Sequence, residues 1–144
     1  MKAKQTLYLL AADRDFRLLL GTKSGLSEIA HRKADDFPDV ENPFGAEAGR
    51  GHSGSVSYST TDRGGPEVEE RRRFARHAIA ALEAEWAGGK ADGIVIAAGP
   101  KMLGELRDAL PKALAAHVVA DLDKDLVKIA LHDLPSHFEG LPGV

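Results

Sequence analysis

The sequence predicts an α/β fold with a mixed sheet, built as three antiparallel strands followed by an α-β-α-β-α run. Three observations lead there. First, Gly93-Ile94-Val95-Ile96-Ala97-Ala98 is a short, unbroken apolar run between turn residues, the pattern of a strand buried on both faces. Gly99-Pro100 breaks that run and opens a helix whose apolar face is Met102, Leu103, Leu106, Ala109 and Leu110, stopped by Pro111. Second, the opening third reads as a meander of strands joined by short turns. Third, residues 67–86 carry one continuous helical stripe.

Taken in order, Gln5 to Ala11 is a strand, Asp13-Arg14-Asp15 a polar turn, and Phe16 to Leu20 the returning strand of a hairpin. Gly21-Thr22-Lys23-Ser24-Gly25 is the next turn. It lacks the upstream glycine and the Gly-Lys step of a phosphate loop. Leu26 to Lys33 forms a third strand, giving an antiparallel meander. From Ala34 to Pro66 periodicity disappears, and the segment holds Pro38, Pro43, Gly45, Gly49, Gly51, Gly54, Gly64 and Gly65. A loop of that length in a small domain is either functional or flexible. Within it, Ser55-Val56-Ser57-Tyr58-Ser59 has the makings of a short extended piece.

Phe74, Ala75, Ala78, Ile79, Leu82 and Trp86 make the apolar stripe of the helix over Glu67 to Trp86. Pro66 suits its first turn, and Glu67, Glu69 and Glu70 suit the positive end of its dipole. Glu67–Arg71 and Glu69–Arg73 have the acid-first spacing of helical ion pairs, and Gly88-Gly89 ends the helix. His117 to Leu122 is a further strand, Leu126 to Phe138 a short terminal helix, and Gly140 to Val144 a loose tail. A meander followed by α/β units is the plan of a ribonuclease-H-like domain.

Composition narrows the function classes. The chain has 144 residues, 43% hydrophobic and 28% charged, enough for one domain with a core. A net charge of −3 excludes wholesale electrostatic binding of nucleic acid but leaves room for a local basic face. There is no cysteine, which removes disulfides, thiolate nucleophiles and Cys-based zinc sites. The basic start Met1-Lys2-Ala3-Lys4 precedes an apolar run too short for a signal peptide, and no stretch approaches membrane-spanning length. The expectation is a soluble, cytoplasmic protein without membrane insertion.

Individual motifs exclude more than they assign. Two-metal phosphodiester chemistry on this plan needs acids from the first strand, first helix and fourth strand. Asp13 and Glu70 are available, but the fourth strand offers no acid, so nuclease activity is not expected. Asp121, Asp123 and Asp125 start like a calcium loop, yet the glycine that should follow is missing and His132 stands where the bidentate Glu belongs. The six histidines show no i, i+4 zinc pair, and Ser53 beside His52 is not a nucleophile elbow. The sequence implies no metal and no cofactor. The turn at Gly99 and Lys101 directs backbone N–H groups outward and is a candidate anion site, with a packing role as the alternative. Arg71, Arg72, Arg73 and Arg76 form the basic cluster. They are either a solvated face tied down by glutamates or a patch for phosphate backbone.

Several of these segments carry a family resemblance. Ala11-Ala12-Asp13, Arg72-Arg73-Phe74-Ala75, Ala97-Ala98-Gly99-Pro100, Leu103-Gly104-Glu105-Leu106-Arg107 and Asp121-Leu122-Asp123-Lys124-Asp125-Leu126 occur in the right order. Over nearly its whole length the chain resembles the bacterial host-attachment protein family. That family is in turn similar to the central domain of archaeal and eukaryotic peptide-release factors. The resemblance implies a ribonuclease-H-like fold and a role linked to the ribosome. In release factors a Gly-Gly-Gln loop ahead of a helix enters the peptidyl-transferase centre and helps water attack the peptidyl-tRNA ester. The matching stretch here is Arg63, Gly64, Gly65 and Pro66, with proline in place of glutamine. Proline offers neither a backbone N–H nor an amide side chain to place that water.

The reading that follows is a translation-associated binding module, touching ribosome or tRNA through Gly64-Gly65 and the Arg-rich helix. The alternatives are a peptidyl-tRNA-type ester hydrolase without the glutamine, or a protein-binding factor needed indirectly for attachment to host cells.

Overall fold

The structure is a computed structural model that describes residues 4–41, 65–89 and 91–141. Five strands form one mixed sheet: β1 Thr6–Ala11, β2 Asp15–Thr22, β3 Gly25–Lys33, β4 Gly93–Ala98 and β5 Val118–Asp123. Their spatial order is β3-β2-β1-β4-β5, with β1–β2 and β2–β3 antiparallel and β1–β4 and β4–β5 parallel. The helices are α1 Pro38–Glu41, α2 Pro66–Ala87, α3 Pro100–Ala109 and α4 Lys112–Ala115.

Every residue of β1 and β4 is buried, as their unbroken apolar runs require, because the sheet is covered on both faces. On one face Leu7, Leu9, Phe16, Leu18, Ile94 and Ile96 pack against α2 and α3. α2 contributes Phe74, Ala75, Ala78, Ile79 and Leu82; Trp86 at its end rests on His117, ring centroids 4.7 Å apart, just ahead of β5. Gly89, with a φ of 78°, takes the left-handed conformation that closes the helix.

On the opposite face Tyr8, Leu10, Leu19, Val95 and Ala97 meet Leu126, Val127, Leu134 and Phe138. The expected terminal helix over 126–138 does not form. Two 3-10 turns, Leu131–Asp133 and Pro135–Phe138, follow an irregular lead-in. The carbonyls of Val127 and Ile129, which a helix would use internally, instead accept from Arg17 Nη1 at 3.0 and 2.7 Å. Pro135 has no N–H to continue a ladder.

Arg17 is the one charged residue of the described core, 6% exposed. Its Nε pairs with Glu28 Oε1 at 2.7 Å. A bulge in the β2–β3 register brings Glu28 opposite Leu19, on the same sheet face as Arg17.

The segment after β3 also differs from expectation. Ala34–Asp36 is a 3-10 turn and α1 follows, because Phe37 and Val40 find apolar cover. Phe37 stacks on His77 at 4.0 Å and contacts Phe74 at 5.9 Å, while Asp39 Oδ1 lies 2.7 Å from His77 Nε2. The expected extended piece at Ser55 to Ser59 lies outside the described residues. The fold is therefore mixed α/β as expected, but the run after β3 is not a plain α-β-α-β-α. Short helices precede α2 and β5, and among the described residues only the two 3-10 turns, with no α-helix, follow β5.

Replacing Arg17 leaves one buried and one half-buried carbonyl without a donor, so R17M should lower unfolding free energy by about 2–4 kcal/mol. E28Q should cost less, because the Glu28 side chain is 34% exposed and water replaces part of what is lost. Urea unfolding of the two variants beside the parent checks this order.

Candidate functional site

Parallel strands present their carboxyl ends at one edge of the sheet, where loops from different strands converge. Here the turn after β1, the turn after β4 and the segment after β5 meet around a cleft of about 690 Å³. Asp13, Arg14, Lys33, Gly99, Lys101 and Lys128 are among the residues lining it. α2 begins at the same edge, since its first turns reach the β1–β2 turn. Arg71 Nε lies 3.3 Å from Asp13 Oδ1, and Arg14 Nη1 lies 3.5 Å from Glu70 Oε1.

The expected loop residues fall partly at this edge. Gly65 is buried and caps α2, its carbonyl accepting from Val68 N at 3.0 Å and Glu69 N at 3.1 Å. Pro66 follows as the exposed first helical residue, a position that needs no N–H. Arg63 and Gly64 lie outside the described residues.

The arginine cluster is held by carboxylates. Arg71 bonds Asp13; Arg72 bonds Glu69 at 3.0 Å and approaches Glu105 at 3.7 Å; Arg73 bonds Glu69 at 2.7 Å. The Glu69–Arg73 pair forms as its spacing predicts, whereas Arg71 takes Asp13 in place of Glu67. Arg76 is exposed and makes no ion pair among the described residues. With Arg72, Glu105 and Asp108 it lines a shallow groove between α2 and α3, where acids match bases.

A different set of cations is uncommitted. Lys33, Lys101 and Lys128 are exposed at the cleft, and their ammonium groups have no partner among the described residues. The carboxylates beside them are engaged: Asp13 with Arg71, Asp15 with His31 at 3.1 Å, and Asp125 with the Val127 N–H at 3.2 Å. The lining carries Arg14, Lys33, Lys101 and Lys128 against Asp13, Asp15 and Asp125, so local charge at the cleft is positive although the chain as a whole is negative. Gly99 caps α3, its carbonyl accepting from Leu103 N at 2.8 Å, so the expected pair Gly99 and Lys101 lies on the cleft wall.

Spacing in the sequence identifies Lys101 but not Lys33 or Lys128. These come from the end of β3 and from the segment after β5, and only the folded sheet joins them. No signal in the sequence marks them. Asp13 and Glu70 both reach this edge, each bound to an arginine. Among the described residues no three His, Asp or Glu side chains converge as metal ligands. Asp121, first of the calcium-like series, pairs with Arg107 at 3.0 Å. No helix among the described residues is long and apolar enough to cross a membrane.

The Arg73 hydrogen bond, aided by the nearby charges of Arg73, Arg72 and Arg76, holds the Glu69 carboxyl below the usual glutamate range despite its burial. A depressed folded-state pKa contributes stability that is complete above the unfolded value. It is lost as pH falls through the folded value. E69Q should therefore flatten the acid limb of the melting-temperature profile below the ordinary glutamate range, and lie nearest the parent at the acid end. Thermal melts from neutral to strongly acidic pH check this.

Residues 5–138 match bacterial archaeo-eukaryotic release factor family 12. Among solved structures, the chain is similar to the Aquifex aeolicus PPX-GPPA enzyme at 12% identity and a TM-score of 0.38, covering 83% of this chain and 36% of that one. The type II variant of the Aquifex aeolicus Ppx/GppA phosphatase gives 11% and 0.34, covering 83% and 35%. A further structure of the Aquifex aeolicus Ppx/GppA family member gives the same 11%, 0.34, 83% and 35%. The chain thus spans little more than a third of those proteins, and likenesses this distant carry no functional weight. No curated protein matches. The chain belongs to the bacterial archaeo-eukaryotic release factor family 12, which matches nearly all of it.

Proposed function

We propose that the protein is a translation-associated binding module that contacts ribosomal RNA or tRNA with the carboxyl edge of its sheet. The observation that carries this reading is the family match over residues 5–138. We read the fold, accordingly, as ribonuclease-H-like and of the release-factor central-domain kind. The antiparallel β1–β3 meander and the parallel addition of β4 and β5 support that reading.

Geometry changes which residues make the contact. Arg71, Arg72 and Arg73 are tied to carboxylates, so offering them to phosphate costs the bonds they already have. Lys33, Lys101 and Lys128 carry no such cost and face the same edge at which α2 begins, just after Gly65. Ammonium groups on long stems suit phosphate oxygens as point charges and follow a backbone without reading bases. Arg76, free of ion pairs among the described residues, extends the contact along α2. Binding, not hydrolysis, is the activity, because Pro66 supplies neither amide nor N–H for placing water. A cytoplasmic setting follows from such a partner, and an attachment phenotype would then be indirect.

Removing three phosphate contacts reduces the salt dependence of RNA binding by about 2 in log–log slope. The combined variant K33Q/K101Q/K128Q should show that drop and weaker association with ribosomes and bulk tRNA at low salt. R76Q alone should show a smaller loss. Co-sedimentation and filter binding across a salt series measure both. A parent protein that fails to associate at low salt, or a triple variant with an unchanged slope, contradicts the proposal.

A further inference from the structure

The far end of the sheet holds a second pocket, independent of the edge described above. It measures about 310 Å³ and lies between the amino end of β1, the β2–β3 turn and the last described turn of the chain. That volume is at the small end for an organic ligand. Its walls include Leu26, Pro135 and Phe138, with Lys4 and Glu139 also lining it.

Two side chains in the wall are unusual. Thr6 and Tyr8 are two residues apart on β1 and so share a face, and each is only 4% exposed. Neither hydroxyl has a hydrogen-bond partner among the described residues. Buried polar groups are nearly always paired, and an unpaired one costs the full loss of its hydration. The Tyr8 ring is fixed from both sides. Phe138 lies 4.4 Å away by ring centroids, and a Cβ on Gly21 would fall 2.7 Å from Tyr8 Cε1 and 3.4 Å from its hydroxyl. Only glycine at position 21 lets the ring lie across β2, so the hydroxyl is held in place beside the pocket. Burial raises the Tyr8 hydroxyl above the usual phenol range, which keeps it protonated and a donor at neutral pH. Thr6 can donate as well.

From this geometry we infer that the pocket binds a small, uncharged, mainly apolar molecule whose single oxygen acceptor takes the Tyr8 hydroxyl hydrogen bond. The apolar body packs on Phe138, Leu26 and Pro135. The acceptor satisfies Tyr8, with Thr6 beside it on the same strand face. The pocket opens to solvent and its walls mix polar and apolar surface, so the bound molecule displaces water from the two hydroxyls while its body covers the apolar part.

Benzamide is a suitable probe, with toluene as the counterpart that lacks the acceptor. Titrating benzamide into the full-length protein should shift the amide resonances of Tyr8, Gly21, Leu26 and Phe138 selectively. Y8F should weaken benzamide about fivefold, the worth of one hydrogen bond, and leave toluene affinity unchanged. It should melt no lower than the parent, because the hydroxyl it removes bonds to nothing in the protein. L26W keeps both hydroxyls but fills the pocket, and should abolish both probes. The inference is overturned by an absence of selective shifts up to the solubility limit. It is overturned equally by identical benzamide affinity in Y8F, or by a lower melting point for Y8F, which would reveal a partner for the hydroxyl within the protein. RNA association of these variants should match the parent, which separates this site from the carboxyl edge.

Discussion

Arg17 holds this molecule's second sheet face together. A sheet with two apolar faces needs cover on both, and α2 and α3 supply it on one side only. The other side is closed by residues 124–141, which make few backbone bonds of their own and cannot stay in place by helicity. Arg17 fixes them by donating to the carbonyls of Val127 and Ile129, while Glu28 balances its charge. Burying a guanidinium is tolerable only because its donors are matched in this way. Once that clasp is made, Leu126, Val127, Leu134 and Phe138 cover Tyr8, Leu10, Val95 and Ala97. The same clasp sets Lys128 and Asp125 at the carboxyl-edge cleft. Phe138, laid down by the same segment, becomes a wall of the smaller pocket at the other end.

Much of the fold was legible because its strongest signals are local. The run from Gly93 to Ala98 could only be a doubly buried strand, and Pro100 and Pro111 bracket α3 closely. The stripe from Phe74 to Leu82 named the buried face of α2 correctly. The terminal segment misled for a specific reason. Leu126, Val127, Leu134 and Phe138 have nearly helical spacing, but the carbonyls of Val127 and Ile129 accept from Arg17 on β2, more than a hundred residues away. The residues after Ala34 misled in the opposite direction. Their polarity hid Phe37, which has a place only once Phe16, Phe74 and His77 are assembled around it.

The candidate site divides along the same line. Lys101 sits directly after the strand–turn–helix step, so its position was readable from sequence. Lys33 and Lys128 reach the cleft from separate segments, and nothing in their neighbours marks them. The arginine run drew attention because four cations fall within six residues. The carboxylates that engage three of them are on α2 itself, at Glu69, and on distant elements, at Asp13 and Glu105. A basic cluster in sequence is thus mostly a neutralised network in space, and the uncommitted positive charge lies beside it. With a net charge of −3, attraction to a polyanion must be confined to such a spot, which favours an oriented contact over a diffuse one.

The central claim is that the carboxyl edge of the sheet faces RNA. Photo-cross-linking the protein to ribosomes and tRNA, with the linked peptides mapped by mass spectrometry, tests it most directly. RNA adducts should fall on peptides holding the turn after β1, the start of α3 and the segment around Lys128. Adducts confined to the opposite edge, around Thr22 to Gly25 and the β4–β5 amino ends, would contradict it. So would linkage to protein alone.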